Sequence, residues 1–325
     1  MKIDIACPAP PGSCTGNRVT AERWRRLLRG LGHRVRIVHD GDAGPANLLV
    51  ALHATRSFAA IARFRLRAPD APLVVVITGT DLYRDLARGQ GDWSAVAQAS
   101  RLVVLNPLAV KDLPGGLRAK ARVILQSAVA TRRRPRPIGR FFDVAVVGHL
   151  RQIKDPFRTE EAVRDVPAAS RLRVRHVGRG LEPGMEQDAR RRAASNPRYV
   201  WLGERPGWET RREIARARLL VLSSRFEGGA NVISEAVVCG VPVLSSRISC
   251  AEGLLGRDYP GLFRVGDTDA LRELMLRAEA QPAFRRLLAA RCRARRGLFA
   301  PARERRSWKR LLAELRRSCT ANSSM

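Results

Sequence analysis

The sequence predicts an α/β protein of two doubly wound domains, each a parallel β-sheet covered by helices, followed by a helical C-terminal tail. Three observations carry this expectation. At 325 residues the chain is long for a single hydrophobic core. Short apolar runs of strand length alternate with segments of helical periodicity along its length. One Pro- and Arg-rich stretch without periodicity, residues 131–140, interrupts the alternation, and the pattern then restarts.

In the first half, "KIDIACP" reads as a strand running into the loop "PAPPGSCTGNR". "VTAERWRRLLRGLG" has apolar residues at helical spacing and ends on Gly32, a suitable C-cap. "HRVRIVH" and "NLLVALHA" follow as strands, "SFAAIARFRLRAP" as a helix, "PLVVVITGT" as a strand and "WSAVAQAS" as a helix. "RLVVLN" and "ARVILQSA" close this half. After the linker, "FFDVAVVGHL", "RLRVRHVG", "RYVWLG", "RLLVLSS", "VPVLSS" and "LFRV" read as strands, with "TRREIARA" and "NVISEAVVCG" as helices between them. The division is therefore 1–130, a linker over 131–140, a second sheet domain over 141–300, and a basic helical tail over 301–325 that would return toward the first domain. The tail pattern breaks near Pro282 and Pro301.

Composition excludes several classes. The apolar runs are too short to span a bilayer, and the opening residues lack a signal peptide's continuous apolar stretch, so a cytoplasmic protein is expected. The six cysteines form no C-x-x-C pair and read as reduced thiols. The five histidines show no metal-ligand spacing, and no metal or cofactor is expected. The formal charge of +30 draws polyanions and steers anionic small molecules into clefts. Nucleic-acid or anionic-membrane binding through the basic tail is one reading of that charge. The chain has no helix-turn-helix, zinc-finger or aromatic single-strand signature, which favours an anion-binding enzyme.

The chemistry concentrates in loops that follow strands. In "SRFEGGANVISEAVVCGVPV", Glu227 lies on a loop, Asn231 reads as a helix N-cap and Glu235 stands one turn into the helix. Gly228, Gly229 and Ala230 let a ligand approach backbone N–H groups at a helix N-terminus, a setting that suits a diphosphate. The two carboxylates suit the diols of a sugar and a ribose. In the first half, Gly12, Ser13, Thr15, Gly16, Asn17 and Arg18 form a Gly-rich, donor-rich loop. Thr78, Gly79, Thr80 and Asp81 follow another strand, and His53 ends a third; a core histidine and a helix cap are the plainer roles for His53 and Asp81.

The E-x7-E spacing followed by "AVVCGVPV" resembles the donor site of retaining, nucleotide-sugar-dependent glycosyltransferases of the GT-B fold. That family's usual pattern is E-x-F-G-x4-E; here Gly229 stands at the aromatic position and Ala230 at the glycine. "VVGHLRQIKDP" resembles the family's V-G-R-L-x3-K-G, with His149 in place of the arginine. The resemblance implies that Glu227 contacts the donor sugar, Glu235 the nucleotide ribose, and Lys154 with Arg151 the leaving diphosphate. Lys154 is one of five lysines among sixty basic residues. The Gly12–Arg18 loop, Thr78–Asp81 and His53 would then face the acceptor and its phosphate.

Together, "CPAPPGSCTGNRVTAERW", "ITGTDLYRDL", "VVGHLRQIKDPF", "HVGRGLEPGME" and "SSRFEGGANVISEA" are similar to the selenosugar synthases (SenB) of bacterial selenoneine biosynthesis. This similarity implies a UDP-sugar donor and selenophosphate as nucleophile, with release of UDP and phosphate and no metal. An ordinary retaining glycosyltransferase with a hydroxyl or lipid acceptor is the alternative.

Overall fold

The computed structural model describes residues 1–39, 45–87, 89, 93–131, 135 and 139–322. The first half contains β1 (Lys2–Ala6), α1 (Gly16–Arg29), β2 (Arg34–Val38), β3 (Leu48–Leu52), α2 (Phe58–Arg67), β4 (Leu73–Ile77), α3 (Trp93–Ala97), β5 (Arg101–Val104), α4 (Gly115–Arg118) and β6 (Ala121–Val123). The second contains β7 (Phe142–Val147), α5 (Arg158–Arg164), β8 (Leu172–Val177), α6 (Met185–Ser195), β9 (Tyr199–Trp201), α7 (Gly207–Arg216) and β10 (Leu219–Leu222). It continues with α8 (Asn231–Val238), β11 (Val243–Ser246), α9 (Ser249–Leu255), β12 (Leu262–Phe263), α10 (Thr268–Ala280) and α11 (Pro282–Arg295). The final helix is α12 (Pro301–Asn322). Most of the linker expected over 131–140 lies outside the described residues.

The chain forms two compact units. The first comprises Met1–Gln126, Glu227–Gly229 and Pro301–Met325; the second comprises Ser127–Phe226 and Ala230–Ala300. In the first unit all pairings are parallel, in the order β2-β1-β3-β4-β5-β6. The strands are apolar on both faces, and alternate residues enter different cores. Leu48, Val50 and Leu52 of β3 join Trp24 of α1 and Trp308, Leu311, Leu312 and Leu315 of α12. Leu49 and Ala51 join Ala60, Ile61 and Phe64 of α2.

Docking of α12 is specific. Trp308 is fully buried and meets Trp24 edge-on, with centroids 4.8 Å apart and planes at 73°. Trp24 Nε1–H donates to the buried carboxylate of Glu304 at 2.7 Å. Arg101 and Arg122, from β5 and β6, donate to Glu314 at 3.2 and 2.8 Å.

The second unit has a parallel sheet in the order β12-β11-β10-β7-β8-β9. Its core takes Val144 and Ala145 from β7, the whole of β10, Ile214 of α7, Ile233 and Val237 of α8, and Leu271 and Met275 of α10. The two sheets share one device. Asp4 faces Arg36 across β1 and β2, Asp143 faces Arg173 across β7 and β8, and each arginine binds its carboxylate with two hydrogen bonds. A buried aspartate in a sheet requires such a partner.

Among the described residues no helix is long and apolar enough to cross a membrane. Three element boundaries differ from expectation. α1 begins at Gly16 rather than Val19, so Gly16, Asn17 and Arg18 are helical. Its C-cap is Gly30 (φ −66°), while Gly32 takes the left-handed conformation in the turn beyond (φ 84°). α8 is capped by Ala230, and Asn231 is its first residue.

Trp308→Ala is expected to cost about 3–5 kcal/mol of unfolding free energy in the first unit, measured by denaturant titration. Glu304→Ala, which orphans the Trp24 indole N–H, is expected to cost about 1–3 kcal/mol; Glu304→Gln keeps an acceptor and should cost less.

Candidate functional site

Strand order reverses once in each sheet, and ligands of doubly wound sheets bind beyond the strand C-termini at such a reversal. In the second sheet the reversal lies between β7 and β10; in the first it lies between β1 and β3. The loops leaving these strands carry Gly148–Lys154, Glu227–Asn231, Gly12–Thr15 and His53. Thr78–Asp81 leave β4, next to β3.

The loop after β7 is held by its backbone. Gly148 N donates to Val177 O at 2.9 Å, and Gly148 O lies 3.1 Å from His176 Nε2. His176 is buried, its other ring nitrogen meets Tyr199 OH at 2.9 Å, and burial pushes its pKa down to about 4. Gly178 has φ 155°, and a Cβ there would fall 1.9 Å from Gly148 O, so only glycine allows the β8 end to close on the β7 end. His149 Nδ1 accepts from Arg179 N at 3.3 Å. Glu182 accepts from Gln152 N at 2.8 Å and stands 3.9 Å from the Arg151 guanidinium.

Lys154 is half-buried. Its carbonyl and that of Asp155 accept from Ser223 Oγ beyond β10, at 3.2 and 2.8 Å, and Ile153 O accepts from Arg225 N at 2.9 Å. Asp155 turns the chain with φ 44° and is clasped by Arg158 at 2.8 Å. The two loops flanking the reversal are thereby tied together, and the lysine is set on a fixed backbone.

The glutamate stretch is divided between the units. Ala230, Asn231 and Glu235 belong to the second, where α8 starts without an acidic residue in its first turn. Its N-terminal dipole is thus uncompensated by its own side chains. Ala230 N is directed at Cys250 Sγ at 3.3 Å, and Asn231 O accepts from Ser234 Oγ at 2.7 Å.

Glu227, Gly228 and Gly229 belong to the first unit. A Cβ on Gly79 would lie 2.5 Å from Gly228 N, and one on Gly228 would lie 2.4 Å from Gly79 N. Two backbones therefore meet glycine against glycine. Asn106, fully buried, donates to Gly228 O at 2.9 Å while its Oδ1 accepts from Leu108 N and Ala109 N. A Cβ on Gly229 would stand 2.5 Å from Leu105 Cβ and 2.8 Å from Gln126 Oε1, so this position has no room for a side chain.

At the first unit's own reversal, α1 starts at Gly16 with Thr15 as cap and no capping side-chain bond. Ser13 and Thr15 hydroxyls lie 3.2 Å apart, and Arg18 pairs with Glu22 at 2.6 Å. Gly12 turns the loop with φ 79°. His53 is fully buried in the left-handed region (φ 71°), an uncommon state for a non-glycine residue. Its Nδ1 accepts from Arg56 N at 3.3 Å, and its Nε2 lies 3.0 Å from Thr80 Oγ1. Burial, then the Arg56 charge, lowers its pKa to about 4, so the ring is neutral with Nε2–H donating to Thr80.

Asp81 is also fully buried, 4.0 Å from His53 Nδ1, and accepts from Ala54 N at 2.9 Å and Leu82 N at 3.1 Å. Burial outweighs these bonds and raises its pKa to about 7. Asp81 opens a wide helical turn in which Leu86 N reaches back five residues to Asp81 O. Of the two roles the sequence left open for Asp81, the cap position itself falls to Thr80, and Asp81 is the first residue of the turn.

Sequence reasoning missed Glu182, Ser223, Asn106 and Gln126, whose work is to hold backbone groups and close walls far away in the chain. Among the described residues, no three His, Cys, Asp or Glu side chains are placed to hold a metal ion.

The Asp81 shift has a signed consequence. Between pH 4 and 7 the folded state holds a proton that the unfolded carboxylate has lost, so this group removes stability as pH rises. Across that window the stability of Asp81→Asn relative to wild type should climb with pH, by up to roughly 4 kcal/mol. Denaturant titrations at stepped pH would refute this with a flat or falling difference.

Residues 142–280 match the family model described as glycosyl transferases group 1. No curated protein sequence matches the chain significantly. Among solved structures, HepE from Anabaena in complex with UDP and glucose superposes with a TM-score of 0.76 at 16% identity, covering 97% of this chain and 100% of that one. Sucrose-phosphate synthase from Thermosynechococcus elongatus gives 0.78 at 16% identity over 98% and 99% of the two chains. A glycosyltransferase from Rickettsia africae gives 0.72 at 11% identity over 97% and 98%. The chain thus has the GT-B fold of two Rossmann-like sheet domains and a C-terminal helix, and its second sheet domain is similar to the group 1 glycosyl transferases.

Proposed function

We propose that the protein transfers a sugar from a UDP-sugar, and that its acceptor is selenophosphate. The observation that carries the transfer reading is the pair of loops at the second sheet's reversal. One presents Lys154 and Arg151, and the other leads into α8 with Glu235 one turn inside, all within the segment that matches the glycosyl transferase model. HepE, similar in fold, binds UDP and UDP-glucose, which supports UDP as the donor nucleotide.

In this reading the α8 N-terminus and the Lys154 and Arg151 cations stabilise negative charge growing on the diphosphate as its bond to the anomeric carbon breaks. Glu227 holds hydroxyls of the transferred sugar and Glu235 those of the ribose. His149 takes the place of the family's arginine, beside a phosphate oxygen. The Gly12–Thr15 turn, the α1 N-terminus with Gly16, Asn17 and Arg18, and the Thr78–Asp81 turn receive the acceptor's phosphate.

The choice of selenophosphate rests on the similarity of the quoted motifs to the selenosugar synthases. Its selenium attacks the anomeric carbon, UDP departs with the bonding pair, and hydrolysis of the P–Se bond leaves a selenosugar and phosphate. Such a nucleophile requires no dedicated base, which suits a site whose histidine is neutral and already engaged with Thr80. No metal is called for, because the two cations take the charge a metal would take.

The test is mass spectrometry of products from UDP-sugars mixed with selenophosphate, thiophosphate, phosphate or a sugar hydroxyl acceptor. A selenosugar with stoichiometric UDP is the expected result; transfer to the hydroxyl alone would leave glycosyl transfer standing and remove selenium. Lys154→Ala should lower the rate of UDP release about 10²–10³-fold with an unchanged melting temperature, and Lys154→Arg should recover part of it. Full turnover in Lys154→Ala would overturn the leaving-group assignment.

A further inference from the structure

α2 is apolar on the side that faces water as well as on the side that faces the core. Ala60, Ile61 and Phe64 enter the core of the first unit. At about 100° per residue, Phe58, Ala62, Leu66 and Ala59 form a continuous arc on the opposite side. Phe58 is 50% exposed and Leu66 85% exposed, the latter more than any other large apolar residue in the described chain. The outward face of a helix in water is ordinarily polar.

Charge frames this arc. Arg63 and Arg67 continue it around the helix, and Arg56, two residues before the helix, is exposed as well. Neither α2 nor residues 53–57 contain an acidic residue. The third helical arginine, Arg65, faces elsewhere, donating to the carbonyls of Pro69, Ala71 and Gln98, with Asp70 beyond the helix end adding to its electrostatic environment. The chain as a whole is strongly cationic.

We propose that the outward face of α2 seats the protein on an anionic lipid surface. Phe58 and Leu66 enter the boundary between headgroups and acyl chains, and Arg56, Arg63 and Arg67 lay their stems along it with guanidinium groups on lipid phosphates. A nucleic-acid duplex would satisfy the arginines but gives Leu66 and Phe58 nothing to enter. α2 begins at the C-terminal end of β3, so the contact lies on the same edge of the first sheet as His53. The proposal is independent of the sugar-transfer reading, and its test does not use activity.

The full chain is floated with vesicles of phosphatidylcholine, with and without phosphatidylglycerol, at physiological salt. Binding to the anionic vesicles is expected. The double variant Phe58→Ser/Leu66→Ser keeps every charge and should weaken that binding at least about tenfold. Arg306→Gln/Arg310→Gln, which removes two exposed charges from α12, should weaken it by less than about threefold. The fluorescence of Phe58→Trp should shift to the blue on anionic vesicles. Unchanged binding of the serine variant, or equal losses in the two double variants, would reduce the effect to general charge attraction and overturn the proposal. So would a dimer in solution that the serine variant dissolves, since a second copy would then cover this face.

Discussion

Crossover connections in a parallel sheet cover one face or the other, and where two neighbouring strands send their chains to opposite faces the sheet keeps an uncovered crevice at its C-terminal edge. Both sheets here depend on that constraint. In the first, the alternating residues of β3 separate one core shared by α1 and α12 from another shared by α2. The reversal between β1 and β3 sends the Gly12–Thr15 loop, which leads into α1, and His53 out at the same edge of the sheet. In the second, the same reversal brings the Lys154 loop beside the chain leaving β10. The Asp143–Arg173 clasp sits near the start of β7, at the other end of that strand from the Lys154 loop, while Asp4 is the middle residue of β1.

Glycine has two distinct uses around these edges. Gly178 allows one strand end to approach another within the second unit, against Gly148 O. Gly79 and Gly228 allow two backbones to touch within the first unit. Gly228 and Gly229 read in the sequence as space for a ligand, yet the atoms nearest to them are Thr78, Gly79, Leu105 and Gln126. The departure from the family's aromatic residue thus has a steric account: Leu105 and Gln126 occupy the volume a ring would need.

Strands were legible because parallel strands buried on both faces are short, continuous apolar runs, as β3, β4 and β10 illustrate. Helix ends were less so. The start of α1 is displaced because Gly16 and Asn17 have low helical propensity, and Thr15, its cap, makes no capping side-chain bond. The loop after β7 and the helix α8 were legible because they rest on local order. Contacts were illegible where partners are remote. Ser223 reaches back to Lys154, Gln126 backs Gly229, and Asn106 holds Gly228 across 122 positions of sequence, and no periodicity encodes such pairs. His53 illustrates a residue with both readings at once, buried and satisfied like a core histidine yet placed in a strained backbone at the sheet's reversal.

The seating of α12 on α1 bears on how the chain is made. Trp24 emerges from the ribosome early, but the indole that packs against it and the carboxylate that accepts its proton arrive nearly three hundred residues later. At about 5–20 residues per second, that delay amounts to tens of seconds. Throughout it, one whole face of the first sheet has only α1 for cover, and the apolar surface of β3 and β4 awaiting α12 is open to solvent and to other nascent chains. The second unit, whose residues are all translated before α12, has no such wait. Vectorial synthesis therefore completes the later unit before the earlier one.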